Sequence, residues 1–177
     1  MSLVIDALSR RHDKNDFDCG EPELNSFLQK LARQQAEKDF NRTYVVCGAD
    51  EDKILGFYAI SFGSMNFENW PDRASLPRYP VPVVRIGRLA VDLRVQGRGV
   101  GTALVRHTMQ LSESTAEKIG LYAVVVDAKH DAAANFYKRY GFACFPDRPL
   151  ELFLTLKVVR RALALELPRF HGRFKGS

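Results

Sequence analysis

The six residues Gln96-Gly97-Arg98-Gly99-Val100-Gly101 constrain this chain more than any other stretch. An apolar run, Val83–Val91, leads into them, and a helical pattern, Gly101–Ser112, leads out. A strand, a glycine-rich turn and a helix start together make a cradle for phosphate. Successive N–H groups point into such a turn, and the helix dipole adds partial positive charge there. Glycine lets the backbone come close to a ligand and take positive φ without strain. Arg94, Arg98 and Arg106 flank the turn and suit a pyrophosphate. The spacing excludes a P-loop, because no Lys follows Gly101. It also departs from the Gly-x-Gly-x-x-Gly dinucleotide fingerprint, which belongs near the start of a βαβ unit. Taken alone, the glycines also allow the plainer reading of a flexible surface turn.

The rest of the pattern places that turn inside one domain. Residues 6–18 read as irregular and charged. Leu24, Phe27, Leu28, Leu31, Ala32 and Ala36 recur at helical spacing, with Asp18 or Glu21-Pro22 as the start. Arg42–Cys47 and Ile54–Phe62 read as a hairpin closed by the acidic turn Gly48–Asp52. Residues 66–82 read as a loop with one short helix. Leu121–Val126 suits a buried central strand. Asp131–Tyr140 reads as a helix stopped by Gly141, Leu150–Val158 as a strand, and Arg160–Leu167 as a last helix. Strands alternating with helices imply an α/β domain with a mixed sheet and a ligand at strand C-termini.

Hydrophobic content of 46% and charged content of 27% suit a soluble globular protein. No signal peptide and no run of about 20 apolar residues is visible, which argues against membrane association and for the cytoplasm. Cys19, Cys47 and Cys144 are too few and too scattered for a disulfide framework or a zinc site, so no metal is expected. The net charge of +5 resides in residues 157–177, where six Lys and Arg face one acid, Glu166. Residues 1–156 therefore form the expected domain, and 157–177 a basic extension, partly helical or disordered, with Phe170–Ser177 read as disordered. A second basic strip runs through Arg78, Arg85, Arg88, Arg94, Arg98 and Arg106. Beside a phosphate cradle it suits a large anionic substrate such as RNA; a solvated basic surface is the plainer reading.

Two segments join the glycine turn in a resemblance: Gly87-Arg88-Leu89-Ala90-Val91-Asp92, and Asn135-Phe136-Tyr137-Lys138-Arg139-Tyr140-Gly141-Phe142. Together they resemble the GNAT superfamily of N-acetyltransferases. Finer features are similar to its toxin subgroup from bacterial toxin–antitoxin pairs: Phe17-Asp18-Cys19-Gly20, Leu24-Asn25, Gly56–Ser61 and Leu150–Leu156. The resemblance implies a three-layer α/β/α domain whose mixed, mostly antiparallel sheet is flanked by helices. It implies acetyl-CoA as co-substrate, contacted by Leu89, Ala90, Val91, Gln96, Gly97, Arg98, Gly99, Val100, Gly101, Thr102, Asn135 and Tyr137. Asn135 reads equally as a surface polar residue. The toxin subgroup further implies acetylation of aminoacyl-tRNA, a ribbon-helix-helix antitoxin, operator DNA bound through that complex, and a homodimer. A GNAT enzyme for a protein or metabolite amine, or a non-enzymatic acyl-CoA-binding regulator, are the alternatives.

Aminolysis of a thioester needs a neutral amine and a proton for the departing thiolate. The resemblance gives the acid's role to Tyr137; Tyr140 stands three residues on, and either ring also reads as a core aromatic. The strand before the turn carries no carboxylate, and Asp92 at its end reads as a loop-capping or Arg-paired residue. A missing base suits an α-amine, pKa near ~8, better than a lysine near ~10.4. Arg85, Arg88, Lys38 and Arg42 are the candidates for RNA phosphate.

Overall fold

The computed structural model describes residues 2–166. Phe170–Ser177, with most of the basic extension's second half, lies outside the described residues. Seven strands form one sheet in the order β1-β2-β3-β4-β5-β7-β6. They are β1 (Leu3–Ala7), β2 (Arg42–Gly48), β3 (Ile54–Met65), β4 (Val81–Val91), β5 (Ala123–Asp127), β6 (Ala143–Phe145) and β7 (Arg148–Thr155). Every pairing is antiparallel except β4 with β5. The layers and the mixed, mostly antiparallel sheet are those the sequence implied.

Helices α1 (Pro22–Ser26) and α2 (Ala32–Glu37) are joined by one π turn, Phe27–Leu31, into a single rod on one face. Pro22 sits in the first turn, where its missing N–H costs nothing. Leu24, Phe27, Leu28 and Ala32 bury against Val45, Phe57 and Ala59. The opposite face carries α3 (Val100–Ala116), α4 (Asp131–Lys138) and α5 (Leu156–Glu166). Val100, Leu104, Val105 and Met109 of α3 and Leu156, Val159 and Leu163 of α5 share one core with Tyr58, Ile86, Val126 and Leu154. The first half of the basic extension is thus a packed helix, with its apolar stripe inward and Lys157, Arg160 and Arg161 exposed.

Four elements differ from the sequence reading. The strand read over Leu150–Val158 stops at Thr155, and Leu156–Val158 form the first turn of α5 because Leu156 and Val159 turn into the core at helical spacing. Leu3–Ala7 is an edge strand that takes in the start of the segment read as irregular, because it pairs with Tyr44–Gly48; its mixed burial hides the alternation. β6 is three residues long, too short for a periodic signal. The 66–80 connection holds two 3-10 turns, Phe67–Asn69 and Arg73–Ser75, and β4 begins at Val81. Trp70 from that connection packs edge-on against Tyr122, Phe145 and Phe153.

Two departures from regularity in β4 position the site. Ala59 pairs with Arg88 and Ile60 with Ile86, so Gly87 is an extra, bulged residue. Bulges re-aim a strand and recur beside active sites. Beyond Ile86, which pairs with Val126, β4 leaves β5 and continues on β3 alone. The edge of Leu89–Val91 is thereby left open, facing the N-terminus of α3.

Candidate active site

The turn between β4 and α3 has the geometry its glycines demand. Gly97 and Gly99 lie at φ +76° and +86°, the left-handed region, and Gly99 is the N-cap of α3. Of the turn, only Arg98 donates its N–H to a backbone acceptor, Val95 O at 3.3 Å, among the described residues. The first N–H groups of a helix have no partner within it, so those of α3 remain for a ligand. At Gly101 a Cβ would stand 3.1 Å from the Phe136 ring, so glycine here is what lets α4 close on α3.

A cleft of about 400 Å³ opens at this turn. Leu89, Ala90 and Val91 form one wall, Gln96, Gly97, Gly99, Gly101 and Thr102 the floor, and Phe136 and Tyr137 of α4 with Tyr140 just beyond it the other wall. Gln96 donates to Val91 O at 3.0 Å, tying the turn to the strand end. Arg98 and Asn135 are exposed and do not line the cleft; Val100 is buried under it. The cleft fits an extended thioester with a diphosphate head. It offers free N–H groups and a helix N-terminus at one end, and an open strand edge along its length.

A second, smaller cavity of about 60 Å³ lies across β4. Glu21, Leu24, Leu89, Ala133 and Tyr137 line both cavities. Tyr137 therefore stands where a thioester in the first would meet an amine in the second. Its ring is 5% exposed and lies edge-on to Phe136 and Phe142. Burial pushes its phenol well above the usual range. Its hydroxyl has no protein partner among the described residues, whereas the Tyr140 hydroxyl bonds Thr102 Oγ1 at 2.5 Å. The two tyrosines that the sequence left in competition are separated by this difference: one is spoken for, one is free.

Asp92, 1% exposed, is an organiser of the loops. It accepts from Arg94 Nε and Nη2 at 2.7 Å each, from Arg94 N at 2.9 Å and from Asp18 N at 3.2 Å. Burial raises its pKa, but these bonds outweigh that and hold the carboxyl below its ordinary value. Its stabilising effect is complete above the unfolded value of ~3.9 and is lost as pH falls through the lower, folded one. Asp92→Asn is expected to cost about 2 kcal/mol, the neighbouring N–H donors losing a charged acceptor, and to shrink the loss of stability on acidification. Urea titrations at pH 7 and pH 3 measure both.

The four RNA candidates divide. Arg85 Nη1 lies 2.6 Å from Asp127 and Nη2 3.3 Å from Glu151, which also takes Arg148. Arg42 donates to Asp39 at 2.6 Å and to Ala36 O at 2.8 Å. The Arg88 guanidinium stacks over Phe27, 4.0 Å from the ring centre, at the smaller cavity. Lys38 is exposed at the end of α2.

The sequence pattern of the acetyltransferase (GNAT) family matches residues 6–142. The chain belongs to this family. It is an acetyl-CoA-dependent N-acetyltransferase. Among proteins of known activity, it is 37% identical over 155 residues to the tRNA-acetylating toxin of Mycobacterium tuberculosis, covering 86% of this chain and 92% of that one. Among solved structures it superposes on AtaT complexed with acetyl-methionyl-tRNAfMet with a TM-score of 0.85 at 30% identity, over 92% and 99% of the two chains. It likewise matches an AtaT mutant toxin bound to the C-terminus of the antitoxin AtaR and acetyl-CoA, with a TM-score of 0.79 at 28% identity over 93% and 99%.

Acetyl-CoA would lie with its diphosphate on the turn and its sulfur towards Tyr137. Glu21, which the sequence reading placed only at a helix start, also lines both cavities. It is far from the motifs in the chain, and no local signal ties it to them.

Proposed function

We propose that this chain acetylates the α-amino group of aminoacyl-tRNA and so blocks translation. The observation that carries the reading is the free Tyr137 hydroxyl at the junction of a cofactor-shaped cleft and a small second cavity. The kinship with a tRNA-acetylating toxin supports the choice of acceptor. Tyr137 is the acid that protonates the departing thiolate. Its proton is held firmly by burial and becomes transferable as negative charge grows on sulfur. The N–H groups of Gly97 to Thr102 hold the diphosphate, and backbone donors around Leu89–Val91 face the acetyl oxygen. Mass spectrometry of charged tRNA after incubation with acetyl-CoA tests the reading. N-acetylaminoacyl-tRNA is expected; acetylation of a protein or polyamine amine with charged tRNA untouched would refute it.

Arg88 is the foremost phosphate contact. Phe27 fixes its guanidinium plane, and its N–H groups make no ion pair among the described residues. Arg88→Glu is expected to weaken tRNA binding about tenfold and lower the slope of log K against log salt by about one or more, with acetyl-CoA affinity intact. Arg85→Glu would instead set a third carboxylate against Asp127 and Glu151. It is expected to lower the melting temperature, which filter binding and calorimetry distinguish.

The toxin reading carries a ribbon-helix-helix antitoxin, operator DNA bound through the pair, and action in the cytoplasm. It also carries a homodimer. Phe40 and Phe62, 73% and 61% exposed, flank one groove with Tyr44 and Leu111, which supports burial of that surface between copies. Sedimentation at micromolar concentration tests it; a monomer there removes the dimer.

A further inference from the structure

The strand that leads into the glycine turn has no carboxylate, yet forming the amide from an amine releases a proton that some group must take. We propose that Glu21 receives the acceptor amine and takes this proton, an inference that rests on the acetyl-transfer reading above.

Glu21 is the one carboxylate, among the described residues, that lines both the cofactor cleft and the small cavity. Asp127 reaches the small cavity alone, and Arg85 holds it at 2.6 Å. Glu21's backbone is anchored: its carbonyl accepts from Leu24 N and Asn25 N at 3.1 Å each, as the first turn of α1 requires. Its side chain is oriented from the far side of the cavity. Lys129 Nζ lies 3.2 Å from one carboxylate oxygen, and His130 Nε2 lies 3.3 Å from the other. His130 Nδ1 already accepts the Ala133 N–H at 3.1 Å, so the neutral ring carries its hydrogen on Nε2 and donates to Glu21. A carboxylate has about four lone-pair sites, and two donors leave room for an incoming amine.

In the step, the amine lone pair attacks the acetyl carbonyl carbon and the N–C bond forms. The C–S bond breaks with its electron pair going to sulfur, which takes the phenolic proton of Tyr137. Nitrogen gives its surplus proton to Glu21. Solvent then removes the proton from Glu21, whose side chain is 38% exposed, and returns one to Tyr137. The products are the amide and the free thiol of coenzyme A, with no other reactant consumed.

The test is steady-state acetylation of aminoacyl-tRNA by the full chain. Glu21→Gln keeps size and polarity but cannot accept the proton; kcat is expected to fall about 100-fold with KM for acetyl-CoA unchanged. Glu21→Ala is expected to be equally slow and to recover rate as formate is added, a response that a merely structural role would not give. Glu23→Gln is the control. Glu23 shares Lys129 at 2.9 Å but lines neither cavity, so it is expected to turn over normally. A Glu21→Gln enzyme as fast as the wild type, or a slow Glu21→Ala enzyme indifferent to formate, overturns the inference. A wild-type protein that leaves charged tRNA untouched overturns instead the reading on which it rests.

Discussion

Tyr137→Phe is expected to lower kcat for acetyl transfer by a factor of about 100 or more while leaving the affinity for acetyl-CoA unchanged. The substitution is clean because the ring and the hydroxyl do different things. The ring fills core space between Phe136 and Phe142, at centroid distances of 5.2 and 5.4 Å, and phenylalanine keeps those contacts. The hydroxyl bonds no protein group among the described residues, so its removal strands no partner and the melting temperature should hold. Growth arrest on expression should be relieved in parallel. The pH profile adds an independent check. Burial holds the phenol above its ordinary ~10, so the acid stays protonated through the neutral range. The wild type should therefore show no falling limb from phenol ionisation below about pH 10. A Tyr137→Phe enzyme with normal kcat, or one that fails to bind acetyl-CoA, would remove Tyr137 from the acid's role. Tyr140→Phe is the contrast: it frees Thr102 Oγ1 and loosens α3 from α4, so stability should fall.

The parts of this site that were legible in the sequence are those that need a particular residue type at a fixed local spacing. Gly97 and Gly99 announce a turn because only glycine takes positive φ cheaply, and Gly141 ends the α4 region at φ +95° for the same reason. The 3.6-residue rhythm of α3 and the apolar run of β5 follow from one face, or two, being covered. What was hidden depends on contacts between distant segments. The edge strand β1 has three of its five residues partly covered, none buried, and no regular alternation to detect. The Gly87 bulge is set by the β3 register, and no residue near it in the chain reports that. Arg85 looked like Arg88 in the sequence, two cations three apart beside a phosphate loop. In the fold one is locked to Asp127, 42 residues on, and the other rests on Phe27. Glu21 lies over a hundred residues from Lys129 and His130, which orient it, and 116 from Tyr137, so only the folded sheet brings acid and base candidates together.

The second large effect belongs to the turn. Gly99→Val is expected to reduce acetyl-CoA affinity at least about 100-fold, by roughly 3 kcal/mol, as isothermal titration would record. Two costs act at separate levels. In the fold, Gly99 holds φ +86° as the N-cap of α3, and a β-branched residue there carries about 1–3 kcal/mol of strain. A built Cβ meets no atom within 4 Å, so no clash adds to that strain and the protein should still fold, with a lowered melting temperature. Gly99 also lines the cleft, where on the proposed placement the diphosphate approaches the N–H groups of Val100, Gly101 and Thr102. A valine side chain there keeps the anion away from its donors. Gly120 gives the control: it too has no atom within 4 Å of a built Cβ, but it lies at the entrance to β5 and lines neither cavity. Gly120→Ala should leave acetyl-CoA binding unchanged. If Gly99→Val bound acetyl-CoA as tightly as the wild type, the diphosphate would have to sit elsewhere, and the placement of the thioester beside Tyr137 would lose its anchor.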